Sequence, residues 1–265
     1  MNFYKRLITW IILISIFLFS IYVGGYLFAT LIFACTFMAA KEFFVITQKK
    51  FNLYCIVLLS LFTLTFASTL FPSYLFIWHS AFVKYLLLVT YCICFFELLF
   101  KTYIIFNSAT LNTIKPLLIC CLSFPFLILI RDLPNGMILC IVTLTVITST
   151  DTYAYLIGRK LGKHRFTSIS PKKTIEGSFA GILAALIFAN ICAFIFSLDY
   201  LNTSIFALVL AIVSQFGDIY ESLVKRTYSL KDSSDTLPGH GGFFDRSDSY
   251  LFILPFVYFY SYLIG

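Results

Sequence analysis

Apolar residues in this chain run in long, unbroken stretches that charged residues interrupt mainly at their ends. Away from water every backbone N–H and C=O needs a partner within the protein, so a bilayer is crossed only by helices or closed barrels. A run of roughly 17–25 apolar residues is long enough to cross as a helix. Nine stretches qualify: 7–23, 26–46, 54–71, 75–100, 114–131, 136–158, 177–197, 201–221 and 250–264. The run 75–100 is long and is expected to tilt or break near His79 and Lys84. The runs do not alternate in polarity, which argues against a β-barrel. Charged residues make up 12% of the 265 residues, against roughly 25% in soluble domains. So few charges cannot coat a water-soluble surface, and a soluble enzyme, a disordered tail and a fibrous repeat are excluded. The expected fold is all-α, a polytopic membrane protein of eight or nine spans.

Orientation follows from the basic residues. With a cytoplasmic N terminus, the inside segments are 1–6, 47–53, 101–113, 159–176 and 222–249. These segments or their borders hold seventeen of the nineteen Lys and Arg, all but Lys84 and Arg131. Such a bias is the positive-inside pattern, and an eight-span arrangement keeps most of it. The net charge of +7 therefore reports topology and not nucleic-acid binding. The first run lacks a small-residue cleavage site and reads as a retained helix. The eight cysteines lie inside apolar stretches with no metal-ligand spacing, as expected of small packing residues. Residues 1–147 read as N-terminal transmembrane helices. Residues 148–265 read as a catalytic transmembrane region carrying the loops 159–176 and 222–249 and most of the acids.

Three constellations carry chemistry. In the first, residues 148–177, Asp151 sits within a span, where an ionised carboxylate costs roughly 2.5–3.5 kcal/mol at the centre of a lone helix. Tyr155 shares its face. A basic loop follows, then Ser170-Pro171-Lys172-Lys173-Thr174 and Glu176-Gly177. Pro171 stops a preceding helix, Gly177 permits a close turn, and the hydroxyls and lysines between them suit a polyphosphate; the plain alternative is a positive-inside loop. In the second, residues 214–226, Asp218, Ser222 and Lys225 stack on one helix face with Glu221 beside them. The alternative there is an interfacial helix end with snorkelling side chains. In the third, residues 231–250, the glycines around His240 allow close backbone approach to phosphate oxygens. Asp245 and Asp248, three apart at a helix start, suit Mg²⁺, and Arg246 offers a planar fork for phosphate. A solvated loop with a capping aspartate is the alternative. Carboxylates for metal and cations for phosphate, at the inner membrane surface, point to phosphoryl or nucleotidyl transfer.

The third segment resembles the signature of the phosphatidate cytidylyltransferase (CDP-diacylglycerol synthase) family, S-x-x-K-R-x4-K-D-x-S-x2-L-P-x-H-G-G-x-x-D-R-x-D. Ser222, Lys225, Arg226, Lys231, Asp232, Ser234, Leu237, Pro238, His240, Gly241, Gly242, Asp245, Arg246 and Asp248 fill it without a gap. Residues 151–163 and 170–177 are similar to two further family blocks, while Ser247 and Ile175 depart from the pattern. The resemblance implies transfer of CMP from CTP to phosphatidate, giving CDP-diacylglycerol and pyrophosphate, with Mg²⁺ and room for a second, monovalent cation. Asp218 and Asp245 are expected to hold metal, with Asp248 nearby. Lys225, Arg226 and Arg246 are expected to hold phosphates, and His240 to donate a hydrogen bond in its glycine-rich turn. Asp151, Ser170, Lys172, Lys173, Thr174, Glu176, Ser222, Lys231, Gly241 and Gly242 are expected to line the substrate site. The implied partners are CTP, phosphatidate, the lipid bilayer and a second copy of the chain, in a bacterial plasma membrane or a plastid membrane. A CTP-dependent lipid or polyprenol kinase, which transfers the γ-phosphoryl group, and an anion transporter are the competing readings.

Overall fold

A computed structural model describes residues 3–46, 123–167, 170–227, 229 and 242–264. The expected spans at 54–71 and 75–100, and the first part of 114–131, lie outside the described residues. Those described form seven helices and one isolated antiparallel bridge, Arg165 to Thr174. The helices are α1 (Phe3–Val23), α2 (Gly25–Ile46), α3 (Pro125–Arg131), α4 (Gly136–Leu161), α5 (Ile175–Phe196), α6 (Tyr200–Thr227) and α7 (Phe244–Ile264). Four contain segments long and apolar enough to cross a bilayer: Gly25–Glu42, Gly136–Leu161, Ile175–Phe196 and Tyr200–Leu223. Shorter apolar segments are Ile11–Val23 and Ser249–Ser261. The described residues are thus all-helical, as the apolar runs led one to expect, with four segments long and apolar enough to cross a membrane among them. Phe194 and Phe179, 76% and 65% exposed, are what lipid-facing positions require and a water-soluble surface would not tolerate in such numbers.

The chain divides into two compact units, Met1–Leu129 with Thr227–Ser247, and Ile130–Arg226 with Asp248–Gly265. In the first, α1 and α2 form a helical hairpin. Gly24 and Gly25 at the joint have φ of 67° and 52°, a left-handed backbone that glycine adopts without a Cβ penalty. Phe17 meets Phe28 across the hairpin at 6.3 Å between rings, and Ile21, Phe28 and Ile32 are fully buried.

The second unit begins at the last residues of α3, which leads into α4 through Asp132–Asn135, the gap between the expected runs 114–131 and 136–158. Helices α5 and α6 are joined tightly. Ser197 takes the left-handed C-cap position, φ 55°, and Asp199 caps α6 by accepting the Asn202 N–H at 2.7 Å. Asn190 and Ser204 hydrogen-bond between these helices at 2.9 Å. Helix α7 runs antiparallel to α6: Tyr220 packs on Phe252 at 5.0 Å and Phe206 on Tyr260 at 4.8 Å. Ala184, Ala185, Ala189 and Ala193 of α5 and Ala207, Leu210 and Ala211 of α6 are buried.

Candidate active site

The site of the second unit starts from a helix crossing. Thr150, Ala154 and Gly158 recur every fourth residue on one face of α4, as do Gly177, Gly181 and Ala185 on α5. A Cβ on Gly181 would stand 2.7 Å from the Thr150 carbonyl oxygen, and one on Gly177 2.6 Å from that of Ala154. Backbone meets backbone here, and only a hydrogen atom fits. Gly177 therefore serves helix packing, where the sequence suggested a turn. The crossing sets the start of α5, with Thr174 as N-cap accepting the Gly177 N–H at 3.2 Å, against the end of α4 that carries Asp151.

Between them opens a cavity of about 540 Å³. Asp151, Tyr155 and Arg159 of α4 line one side, Ser170 and Lys172–Thr174 a second, and Ser178 of α5 with Gln215 and Asp218 of α6 the rest. Gln215 and Ser178 lock α5 to α6: the Ser178 hydroxyl donates to Gln215 Oε1, and Gln215 Nε2 donates to the Ser178 carbonyl at 3.2 Å. Lys173 Nζ contacts Asp218 Oδ2 at 2.6 Å. Asp218 Oδ1 accepts from the hydroxyl of Ser249, a residue 2% exposed on α7. The same hydroxyl lies 3.5 Å from Asp151 Oδ2. One serine thus joins two carboxylates whose residues lie 67 positions apart in the chain.

Two carboxylates and a hydroxyl form an oxygen donor set of the kind Mg²⁺ takes. That ion is typically held by one or two carboxylates, with water and substrate phosphates completing its octahedron. Among the described residues no three His, Cys, Asp or Glu side chains converge.

The wall that carries the lysines is a short hairpin. Phe166 N–H donates to the Lys173 carbonyl at 2.9 Å, and Ile175 N–H to that of His164 at 3.0 Å. Glu176 secures its base. The carboxylate accepts the Lys163 and His164 N–H groups at 3.1 and 3.2 Å and meets the His164 ring at 2.6 Å.

In the first unit the start of α7 is built around carboxylates as well. Asp245 Oδ2 accepts the Gly242 N–H at 3.3 Å. Glu42 of α2 accepts the N–H groups of Phe243 and Phe244, both at 2.8 Å.

Sequence similarity to the cytidylyltransferase family extends over residues 4–264. A phosphatidate cytidylyltransferase of Bacillus subtilis is 35% identical over 96% of each chain. The chain belongs to the cytidylyltransferase family. The phosphatidate cytidylyltransferase of Synechocystis is 38% identical over 51% of this chain and 46% of its own length, and that of Staphylococcus haemolyticus is 44% identical over 42% and 44%.

Within this family member, the residues expected from the sequence separate into groups. Asp151, Ser170, Lys172, Lys173, Thr174 and Asp218 line one cavity. Thr174 is also the cap of α5, and Glu176 faces the loop backbone instead of the cavity. Lys225 pairs with Glu221 at 2.7 Å, one helical turn away. Ser222 is half-buried and Arg226 exposed near the end of α6. Gly242 and Asp245 bond to each other in the first unit. Arg246 and Asp248 fall in the opening turns of α7, with side chains outside the described set, and Lys231, His240 and Gly241 lie outside the described residues. Ser247, a departure from the family pattern, is buried and returns its hydroxyl to the Phe243 carbonyl at 3.0 Å. A polar side chain is satisfied there without a partner from another helix. Reasoning from sequence missed Ser249, Gln215, Ser178 and Glu42. A signal existed for each, namely a polar side chain within an apolar run.

Proposed function

We propose that this chain transfers CMP from CTP to phosphatidate, releasing pyrophosphate and forming CDP-diacylglycerol. The observation that carries the reading is the pair Asp151 and Asp218, joined through Ser249, on a cavity whose facing wall presents Lys172 and Lys173. The family membership supports it, and so does the name shared by the relatives.

The reaction asks little of acid–base chemistry. A phosphomonoester has a second pKa of about 6, so the phosphatidate phosphate is largely ionised at neutral pH and needs no strong general base. The obstacle is the repulsion between two polyanions. Lys172, Lys173 and Arg159 meet it with fixed positive charge. Ser170 and Thr174 add hydroxyls, and Asp151 and Asp218 would hold the cation. When bound, Mg²⁺ supplies charge neutralisation and polarises phosphoryl oxygens. Lys173, paired with Asp218, keeps the carboxylate pair from standing as bare negative charge and is placed to turn toward an incoming phosphate. On the strength of the family signature, Asp245, Arg246, Asp248 and His240 are assigned roles in the reaction, and Lys225 and Arg226 roles as further phosphate partners. We read the chain as nine-span, with its N terminus in the cytoplasm and the cavity at the inner leaflet of a bacterial plasma membrane, and as a homodimer.

The test is product formation by purified protein in detergent micelles containing phosphatidate, with and without Mg²⁺. With α-labelled CTP the label is expected in the lipid; with γ-labelled CTP it is expected in pyrophosphate. Label from the γ position in lipid would instead make the protein a CTP-dependent lipid kinase.

A further inference from the structure

Glu42 lies in the apolar run of α2, where an ionised side chain is expensive and has a task in most cases. It is 3% exposed. Its two oxygens converge on one target, accepting the N–H groups of Phe243 and Phe244 at 2.8 Å each. Those groups belong to the start of α7 and have no acceptor within the helix, and the helix dipole places partial positive charge beside them. The Gly242 N–H just ahead is taken by Asp245 Oδ2 at 3.3 Å. Three successive backbone donors are therefore divided between two carboxylates, one from a distant helix and one from α7 itself. The Phe243 ring rests on Phe124 at 6.2 Å, and Ser247 Oγ donates to the Phe243 carbonyl at 3.0 Å. Without Glu42, the Phe243 and Phe244 N–H groups would lose these acceptors, one turn or less from Asp245.

We propose that Glu42 is a positioning residue for cytidylyl transfer. By supplying the acceptors for Phe243 and Phe244 from α2, it fixes the first turn of α7 and leaves Asp245 in the orientation the reaction uses. It does so without meeting substrate. This inference rests on the activity proposed above.

Glu42→Gln tests it on the full-length protein in detergent, because the amide keeps the shape but offers one acceptor oxygen where two are needed. Misplacing a reacting group lowers kcat while leaving ground-state binding largely intact. The expected result is a kcat lowered about 10-fold or more, with KM for CTP and phosphatidate within about threefold of wild type. Hydrogen exchange at the Phe243 and Phe244 amides is expected to be faster. Glu42→Asp, with the charge kept and a shorter reach, is expected to recover part of kcat, and it replaces the Gln variant should that fail to fold. Folded variant protein with wild-type kcat and wild-type exchange at those amides overturns the proposal. Lower folded yield with undiminished kcat per folded molecule overturns it too, since Glu42 would then be merely structural. An inactive wild type would remove the proposed activity, and with it this role; an active wild type with an undiminished variant removes the role of Glu42 alone.

Discussion

Ser249 shows how much a single hydroxyl can organise. It has one proton to donate, and that proton goes to Asp218, with Asp151 at the edge of hydrogen-bond reach. The carboxylates repel each other, and Lys173 with the serine offsets that repulsion until substrate arrives. A net hydrogen bond of about 1 kcal/mol corresponds to a factor of about five in rate. Ser249→Ala is accordingly expected to lower kcat/KM about fivefold in the α-labelled CTP assay, with unchanged thermal stability to within a few degrees. Asp218→Asn removes a charge that the serine and the lysine both meet and that the proposed cation would need. It is expected to cost about 100-fold or more, the size of loss seen when a preorganised electrostatic partner is removed, with normal elution on size exclusion. An Asp218→Asn protein that retains more than a tenth of wild-type turnover would show that the cation is held elsewhere.

At the scale of elements, the α4–α5 crossing decides whether the cavity exists. Both helices put small residues at every fourth position, so their backbones touch, and the Asp151 end of α4 is fixed against the lysine hairpin ahead of α5. Gly181→Ala places a methyl group 2.7 Å from the Thr150 carbonyl oxygen. Overpacking of this kind costs about 1–3 kcal/mol, expected as a lower thermal midpoint in detergent and a parallel loss of activity. Phe179→Ala, on the exposed face of the same helix, is expected to leave both nearly unchanged. The helices themselves were plain in the sequence, because an apolar run of bilayer length has few other ways to satisfy its backbone. The starts of α5 and α6 were not read from the sequence, although Thr174 and Asp199 stand there as capping residues. What the sequence could not disclose is which helices become neighbours. Asp151 was expected to line the substrate site and Asp218 to hold metal together with Asp245. The fold brings Asp151 and Asp218 together through a serine just past the end of the signature. Glu176 read as a substrate ligand because its motif is rich in phosphate-binding residue types, yet its carboxylate is occupied by two backbone N–H groups and an imidazole. Spacing along one chain reports shared helix faces, and carries almost nothing about tertiary partners.

At the scale of the whole molecule, the basic residues and the site make one joint demand on topology. CTP is a cytoplasmic, membrane-impermeant tetra-anion, so the proposed reaction requires the cavity lined by Lys172 and Lys173 to open on the cytoplasmic side. The segment 159–176 that builds its wall holds Arg159, Lys160, Lys163, Arg165, Lys172 and Lys173, the kind of loop that is retained inside. The proposed cytoplasmic N terminus then requires an even number of spans before residue 159, and the nine-run assignment supplies six. Three more runs follow, which sends the C terminus to the outer face. An eight-span chain with one fewer run after the loop would return it to the cytoplasm, so the C-terminal location separates the two counts. Alkaline phosphatase fused after Ile264 is expected to be active in intact cells. A single cysteine placed at Lys163, in a chain whose eight native cysteines are replaced, is expected to resist a membrane-impermeant maleimide until the membrane is opened. Labelling of that cysteine in intact cells would put the cation-rich wall on the side where CTP is absent, and a cytidylyltransferase could not work in that orientation whatever the geometry of its carboxylates.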